Sequence, residues 1–173
     1  MINRILVTGP QGSGKTTQAK LLAEFLEVPF IGTGDLVRKR AEVPDEIGRK
    51  IKIALENGQL ADNKAVADLV RKEVGDQFVM DGYPRDEGQL DIFDPKYSKV
   101  FYLDISDLEV MNRLLKRGRA DDTPDLIKER LRLYHLETEP LVKRYKESGV
   151  LNIIDGSLPI EQIQERMRIA LHG

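Results

Sequence analysis

The sequence predicts an α/β fold in which a roughly five-stranded parallel sheet lies between two layers of helices. Short apolar runs alternate with amphipathic helical patterns from one end of the chain to the other. Such alternation is typical of parallel sheets with right-handed crossovers. The length of 173 residues, of which 40% are hydrophobic, allows one domain with one sizeable core, at roughly 150 residues per domain.

Five short apolar runs are the candidate strands of this sheet. Each is bounded by turn residues and is rich in Val, Ile, Leu or Phe, as strands buried on both faces are. The candidate strands are Arg4–Thr8, Pro29–Ile31, Gln77–Asp81, Lys99–Ile105 and Val150–Ile154.

Helical patterns with recognisable ends fill the segments between these runs. Apolar residues recur at helical spacing, and Asp, Ser or Thr precedes several of the patterns as a candidate N-cap. Two helical patterns lie between Gly34 and Asn57, and another follows Asp62 before the next candidate strand. One crossover requires fewer helices than this, so part of the segment should project from the core. The predicted helices are Lys15–Leu26, about Gly34–Ala41, Asp45–Asn57, those that follow Asp62, Ser106 and Thr123, and one from about Pro159.

The composition excludes several classes of protein. Lys and Arg number 27 against 29 Asp and Glu, for a formal charge of -2, whereas a general nucleic-acid binder should carry a basic excess. The chain has no cysteine, so disulfides, thiolate zinc sites and a thiol nucleophile are excluded. No apolar stretch approaches the ~20 residues that cross a bilayer. We therefore expect a cytoplasmic protein with no membrane or nucleic-acid partner.

A glycine-rich loop follows the first candidate strand. Gly9–Thr16 matches the pattern G-x-x-x-x-G-K-[ST], in which glycines let backbone N–H groups converge on phosphate oxygens. Lys15 would reach the β- and γ-phosphates, and a threonine hydroxyl would hold Mg²⁺. A strand before the loop and a helix after it form the expected context. The alternative is a glycine-rich turn with a solvated lysine.

An acidic residue is expected near this loop. Asp81 ends the apolar run Phe78–Met80, which places its carboxylate at the carboxyl edge of the sheet. The alternative for an Asp-Gly pair is a plain turn. An acid that closes a buried strand beside a phosphate loop is better interpreted as a ligand of the Mg²⁺ water shell.

Four further segments follow the loop in a recognisable order. They are Thr33–Arg38, Asp81–Arg85 with Gln89, Arg119–Asp122, and Glu139–Leu141. Together with the loop, they make the chain resemble the nucleoside monophosphate kinases, and most closely the adenylate kinase family. The resemblance spans nearly the whole chain. It implies a three-layer P-loop nucleotide kinase fold over residues 1–173, with a helical NMP-binding insertion at 32–61 that binds AMP.

The resemblance also implies roles for individual residues. Mg²⁺ would be served by Thr16, Thr17 and Asp81, partly through water. The catalytic residues would be Lys15, Asp81, Arg85, Arg119 and Arg130. The ATP site would comprise Gly12, Ser13, Gly14, Lys15, Thr16, Thr17, Arg113, Arg117 and Leu158. The AMP site would comprise Thr33, Arg38, Gln59, Leu60, Ala61, Gly82, Arg85, Gln89, Arg119 and Arg130.

The chemistry of arginine independently favours these roles. Transfer between two nucleotides brings polyanions together, and the guanidinium fork binds phosphate oxygens bidentately without losing its charge. Arg113 and Arg117 are spaced i,i+4, so both can point into one cleft. For each arginine the alternative is a surface ion pair. No general base is required, because the acceptor phosphate has a second pKa near ~6. His135 and His172 match no motif.

The sequence departs from the family pattern in two places. Thr16 replaces the glycine that usually follows the loop lysine, so either Thr16 or Thr17 could serve the metal. Family members also close a lid over the donor phosphates, inserted between the positions of Arg117 and Arg119. Here only Gly118 separates these arginines. We expect a vestigial lid at about 117–123, with weaker ATP binding, looser donor-base selectivity or some ATP hydrolysis as its cost.

The expected reaction is Mg·ATP + AMP ⇌ 2 ADP, with ATP, AMP and ADP as the partners, Mg²⁺ as the cofactor and no zinc. Thr33 and Gln89 suit adenine, whereas a UMP/CMP kinase would tend to carry Ala and Asn there. A GTP donor stays open, because donor contacts are mainly backbone. A nucleotide-binding switch without turnover is a less favoured interpretation, and a nucleic-acid binder is the least favoured. A monomer is expected, because the sequence has no sustained heptad pattern.

Overall fold

A five-stranded parallel sheet organises the molecule. The computed structural model describes residues 3–119 and 122–172. The strand order is β2-β3-β1-β4-β5, and every neighbouring pair is parallel. The prediction of an α/β fold with five parallel strands is confirmed, with boundaries that differ by at most one residue. The strands are β1 (Arg4–Thr8), β2 (Phe30–Gly32), β3 (Phe78–Asp81), β4 (Lys99–Asp104) and β5 (Leu151–Asp155).

Helices connect the strands and cover both faces of the sheet. A π-helical segment, Tyr134–Thr138, joins the helices Pro124–Leu133 and Glu139–Glu147. The helices are α1 (Lys15–Leu26), α2 (Thr33–Ala41), α3 (Glu46–Glu56), α4 (Asn63–Glu73), α5 (Glu87–Ile92), α6 (Asp107–Arg117), α7 (Pro124–Leu133), α8 (Glu139–Glu147) and α9 (Ile160–Leu171).

The core is divided by the sheet into two apolar clusters, because successive strand residues point to opposite faces. On one face, Val7 and Phe101 pack with residues of α1 and α9. On the other face, Leu6 and Met80 pack with residues of α2, α3, α4, α5 and α8. A smaller cluster joins α6 to α7. The three-layer arrangement is therefore confirmed.

Helix ends follow the caps that the sequence predicts. The Asp62 carboxylate accepts a hydrogen bond from the Ala65 N–H at 2.9 Å. The Ser106 hydroxyl caps α6, and the Thr123 hydroxyl caps α7 just before Pro124. Each cap satisfies an N–H group that has no partner inside its own helix.

Three elements were not predicted from the sequence. They are the short helix α5, the helix α8 and the π-helical segment between α7 and α8. Helix α5 has only six residues and contains Gly88. Helix α8 contains Pro140 in its first turn, where a proline is tolerated because its missing N–H would have no helical partner.

The predicted AMP-binding insertion lies wholly within the described residues, whereas the predicted lid lies only partly within them. The predicted AMP-binding insertion at 32–61 contains α2 and α3, which pack against each other. The predicted lid at about 117–123 contains Ala120 and Asp121, which lie outside the described residues. In the ranges 3–119 and 122–172, no helix is long and apolar enough to cross a membrane.

Candidate functional site

The carboxyl ends of three strands bring the predicted phosphate loop and the predicted acid together. Strand β1 leads into the loop, and its Val7 is in register with Asp81 at the end of β3. Gly32, at the end of β2, is also in register with Asp81. In open α/β sheets, ligands bind in the crevice at this edge.

The phosphate loop depends on glycine at two positions. Gly14 is the N-cap of α1 and has a φ of 89°, so α1 begins directly after a left-handed residue. Gly12 also has a positive φ, and a Cβ there would lie 2.9 Å from Cγ of Leu114. The N–H groups of the first turn of α1 have no helical acceptors, so the loop and helix end form a site for an anion.

Lys15 and Thr16 place a cation and a hydroxyl beside the Asp81 carboxylate. The Lys15 ammonium donates a hydrogen bond to the Pro10 carbonyl at 3.2 Å. Burial lowers the pKa of Lys15 to about 8, although the nearby Asp81 carboxylate opposes this shift. The Thr16 hydroxyl donates a hydrogen bond to Oδ2 of Asp81. Oδ1 of Asp81 is buried and has no hydrogen-bond partner among the described residues, so this carboxylate retains an acceptor for a hydrated cation.

A cleft of about 350 Å³ opens on one side of the loop. It lies between α2, the segment that follows α3, and the segment that follows β3. The Thr33 hydroxyl at its wall is buried and lacks a partner in the described part of the chain. The predicted site residues that line this cleft are Lys15, Thr33, Arg38, Gln59, Leu60, Ala61, Gly82, Arg85, Gln89 and Arg130.

Two arginines of this cleft are held by local contacts. The Arg38 guanidinium donates to the Asp35 carboxylate at 2.5 Å and thereby lowers the pKa of Asp35. Nε of Arg85 donates to the Gly82 carbonyl at 3.3 Å, and burial lowers the pKa of Arg85. The Thr138 hydroxyl donates to the Arg85 carbonyl at 2.6 Å, so the π-helical segment fixes the loop that carries Arg85.

A second cleft, of about 480 Å³, opens on the other side of the loop. The Arg113 guanidinium is held there by Glu109 at 2.8 Å and by the Gly156 carbonyl at 3.1 Å. The Ser157–Pro159 turn forms part of the wall. The predicted site residues that line this cleft are Gly12, Ser13, Gly14, Thr17, Arg113 and Leu158. Thr16 lines neither cleft and faces Asp81 instead.

Asp122 gathers the arginines that the sequence places after α6. The Arg117 guanidinium donates two hydrogen bonds to its carboxylate, at 2.8 and 2.7 Å, and lowers the pKa of Asp122. Nη1 of Arg130 lies 3.6 Å from Oδ1 of Asp122. Toward the described residues, Arg119 donates its backbone N–H alone, to Asp122 at 3.1 Å, while its side chain is exposed and lines neither cleft. The role of Arg119 at the transferring phosphoryl group therefore stays a prediction.

Sequence reasoning assigned Asp122 no role of its own. It belongs to the motif Arg119–Asp122, and the available signal was an acid five residues after Arg117 in a segment rich in cations. The fully buried Asp122 side chain now explains why Arg117 and Arg130 converge. Asn63 and Asp86, which contact Gln89, were also missed, because neither stands in a motif.

The fold and the two clefts define the class of the protein: a P-loop phosphotransferase with a cleft on each side of one phosphate loop. The family model for adenylate kinase matches residues 7–150. The chain is 37% identical to the adenylate kinase of Micrococcus luteus, over 99% of this chain and 92% of the relative. It is 38% identical to the adenylate kinase of Pseudarthrobacter chlorophenolicus, over 98% and 97%. It is 35% identical to adenylate kinase 1 of Nostoc sp., over 98% and 99%. The chain belongs to the adenylate kinase family.

Proposed function

We propose that the protein transfers the γ-phosphoryl group of ATP to AMP and gives two ADP in a reversible reaction. The observation that carries this proposal is the position of the two clefts. Gly12–Gly14 line one cleft, while Gly9, Gln11 and Lys15 line the other. Phosphates that enter from the two sides would therefore meet at one loop. The names of the relatives support AMP, rather than a pyrimidine nucleotide, as the acceptor.

The donor site would be the cleft of Arg113. The loop N–H groups and Lys15 would bind the ATP phosphates, with Thr17 and Arg113 in the wall of the cleft. Arg117 lines neither cleft and its guanidinium is bound to Asp122, so its role toward ATP stays a prediction. The backbone of the turn at Leu158 would contact the donor base.

The acceptor site would be the cleft of Arg85. In this proposal the insertion at 32–61 is the AMP-binding subdomain. Arg38 and Arg85 would hold the AMP phosphate, and Gln89 would hydrogen-bond the adenine edge beside Thr33. The remaining wall would come from the backbone of Gln59, Leu60 and Ala61 and from Gly82.

The reaction needs positioning and charge stabilisation but no general base. An oxygen of the ionised AMP phosphate attacks the γ-phosphorus, a new P–O bond forms, and the bond to the β,γ-bridging oxygen breaks. The leaving ADP keeps the electron pair. Lys15 and the guanidinium groups of Arg85, Arg119 and Arg130 would stabilise the charge on the transferring oxygens.

The residues around Asp81 fit a magnesium ion. The buried Oδ1 of Asp81 retains an open acceptor position, and the Thr16 hydroxyl lies against the same carboxylate. Hard oxygen ligands of this kind suit Mg²⁺, which keeps several of its waters. We propose Asp81 and Thr16 as its principal residues, with Thr17 as the alternative threonine. Bound Mg²⁺ would neutralise charge on the β- and γ-phosphates. The absence of zinc, the monomeric state and the cytoplasmic location stay predictions.

A coupled assay of ADP formation from ATP with each nucleoside monophosphate tests the proposal. We expect AMP to be the preferred acceptor and expect Lys15→Ala and Arg85→Ala each to lower activity by about 10²-fold or more. Arg132→Ala is the matched control, because Arg132 is exposed and paired with Glu129. Full activity of either site variant would contradict the mechanism. Nucleotide binding without ADP formation would instead identify a nucleotide-binding switch.

A further inference from the structure

We propose that Asn63 is a positioning residue that sets the orientation of the Gln89 side-chain amide, and that this orientation discriminates a 6-amino purine from a 6-oxo purine in the acceptor cleft. This inference rests on the proposed function, because it concerns the same cleft. Asn63 matches no motif. It is the first residue of α4, whereas Gln89 lies in α5.

A chain of hydrogen bonds links four residues from three segments. Nδ2 of Asn63 donates to Oδ1 of Asp86 at 2.8 Å. Nε2 of Gln89 donates to Oδ1 of Asn63 at 3.2 Å. The backbone N–H of Arg85 donates to Oε1 of Gln89 at 2.8 Å. Asp86 also caps α5 by accepting from the Gln89 N–H at 3.1 Å.

The direction of this chain is fixed at both of its ends. An ionised carboxylate can only accept, so Asp86 requires the NH₂ group of the Asn63 amide. The carbonyl oxygen of Asn63 must then face Gln89, and it can only accept. At the other end, a backbone N–H can only donate, so Arg85 requires the oxygen of the Gln89 amide. Rotating the Gln89 amide by half a turn would therefore break two hydrogen bonds at once.

The glycine at position 88 leaves room for the Asn63 side chain among buried neighbours. Gln89 and Asp86 are buried, with 2% and 8% of their surface exposed. A Cβ at Gly88 would lie 2.7 Å from Nδ2 of Asn63 and 3.1 Å from Oδ1 of Asp86. Only a residue without a side chain leaves the Asn63 amide in its present position. Gly88 is thus a second, independent observation that Asn63 packs closely against Asp86 and α5.

The fixed amide leaves two groups available to a ligand. One N–H of Nε2 and one lone pair of Oε1 are not used within the chain of hydrogen bonds, and Gln89 lines the cleft. The adenine edge offers an acceptor at N1 and a donor at its 6-amino group. The N–H of Nε2 would pair with N1, and Oε1 would accept from the 6-amino group. Hypoxanthine offers N1–H and a 6-oxo group, and so requires the reverse order. A site that leaves buried polar groups unpaired rejects the wrong ligand strongly.

The test compares AMP with IMP as acceptor in steady-state kinetics, because these nucleotides differ only in the 6-substituent and the adjacent N1 proton. We expect Asn63→Ala to reduce the ratio of kcat/KM for AMP to kcat/KM for IMP by about tenfold, which corresponds to one lost directional hydrogen bond. The loss should appear mainly in the KM for AMP. The KM for ATP should stay within about twofold, because Asn63 lies outside the donor cleft.

A second variant reaches the same contact by a different route. Gly88→Ala keeps every hydrogen-bonding group but displaces the Asn63 amide, so we expect it to lower the AMP/IMP ratio as well. Asp62→Ala is the matched control. It removes the N-cap of α4 and should lower Tm, yet it should leave the AMP/IMP ratio at the wild-type value because Asp62 is not part of the chain of hydrogen bonds.

The outcomes separate this inference from the proposed function. A wild-type protein that phosphorylates no nucleoside monophosphate would overturn the proposed function itself. A wild-type protein that prefers AMP, with an unchanged AMP/IMP ratio in both Asn63→Ala and Gly88→Ala, would overturn the inference alone. A ratio that falls equally in Asp62→Ala would also overturn it, because a general loosening of α4 would then suffice.

Discussion

Lys15 lies in the cleft, and burial of its ammonium group disfavours the charged form. Its ammonium is desolvated, and the arginines Arg85 and Arg117 add to the lowering of its pKa to about 8, which the Asp81 carboxylate only partly opposes. Phosphate oxygens would favour the charged form and raise this pKa. Ligand binding and protonation of Lys15 are therefore coupled.

We expect ATP binding to take up protons at about pH 8.5 and to take up almost none at about pH 7. Protons are taken up rather than released because the pKa of Lys15 lies near 8 in the free protein and would lie higher in the complex. Isothermal titration calorimetry in two buffers of different ionisation enthalpy measures the uptake. Lys15→Arg is the control, because a guanidinium stays charged at both pH values. Equal proton uptake by wild type and Lys15→Arg would refute the coupling.

The contact between Thr16 and Asp81 distinguishes the two loop threonines. We expect Thr16→Val to raise the free Mg²⁺ needed for half-maximal activity by about 10–100-fold, because it removes a partner of the Asp81 carboxylate, which is proposed to bind the metal. Thr17→Val has the same shape change but lies in the donor cleft, so it should raise the KM for ATP without changing the Mg²⁺ requirement. The reverse pattern in an Mg²⁺ titration would assign the metal to Thr17.

Sequence motifs located the residues that would touch ligands but not those that orient them. The loop Gly9–Thr16 was identified because phosphate binding requires glycines and a lysine at fixed spacing, whereas Arg85 and Gln89 were identified through the resemblance to the family. Asn63 lies 26 residues from Gln89, and nothing local marks the two as partners. Long-range contacts of this kind depend on how helices pack, so they are visible only once α4 and α5 are placed side by side.

Among the elements, the connection between α2 and α3 depends on a close approach between the backbones of Gly48 and Val43. Gly48 lies in the first turn of α3, and a Cβ there would be 2.0 Å from the Val43 carbonyl oxygen. The tight turn between α2 and α3 therefore leaves no room for a side chain at this position. Both helices belong to the proposed AMP-binding insertion.

We expect Gly48→Ala to destabilise this segment by about 1–3 kcal/mol, because the backbone must shift to relieve the overlap. Hydrogen exchange should increase in α2 and α3, and the KM for AMP should rise while the KM for ATP stays unchanged. Gly75→Ala is the matched control, because no described atom lies within 4 Å of its added Cβ. Unchanged hydrogen exchange in α2 and α3 would show that the insertion accommodates the added methyl group without loosening.

Most elements were predictable because their patterns are strong. Buried strands such as β1 and β3 are continuous apolar runs, and the caps Asp62 and Thr123 mark helix starts. The six residues of α5 are too few to show helical periodicity. The transition from α7 through the π-helical segment to α8 shifts the helical phase, so a period of about 3.6 residues cannot follow it.

At the scale of the molecule, two clefts share one loop, and the segment predicted to form the lid is short. Only Gly118 lies between Arg117 and Arg119, and the side chain of Arg119 is exposed. A lid excludes water from a phosphoryl-transfer site, so we infer that water has more access to the ATP phosphates when this lid is vestigial.

We expect measurable ATP hydrolysis in the absence of AMP, together with a high KM for ATP. Phosphate release and ADP formation, measured on the same preparation, give the ratio of hydrolysis to transfer. Lys15→Ala should abolish both activities, which excludes a contaminating ATPase. Negligible hydrolysis combined with tight ATP binding would show that the short segment is sufficient cover.

The turn at Gly118 also has a bearing on how such a protein can change. Helix α6 ends there with the Gly118 N–H bonded to the Leu114 carbonyl, and α7 starts from its own cap at Thr123. Each helix therefore has its own terminating contact, while Asp122 joins the two by binding Arg117 of α6 and Arg130 of α7. No described atom crowds a Cβ at position 118. We therefore expect residues inserted next to Gly118 to leave the packing of α6 and α7 in place. In that case the length of the predicted lid could be changed by grafting without redesign of the core.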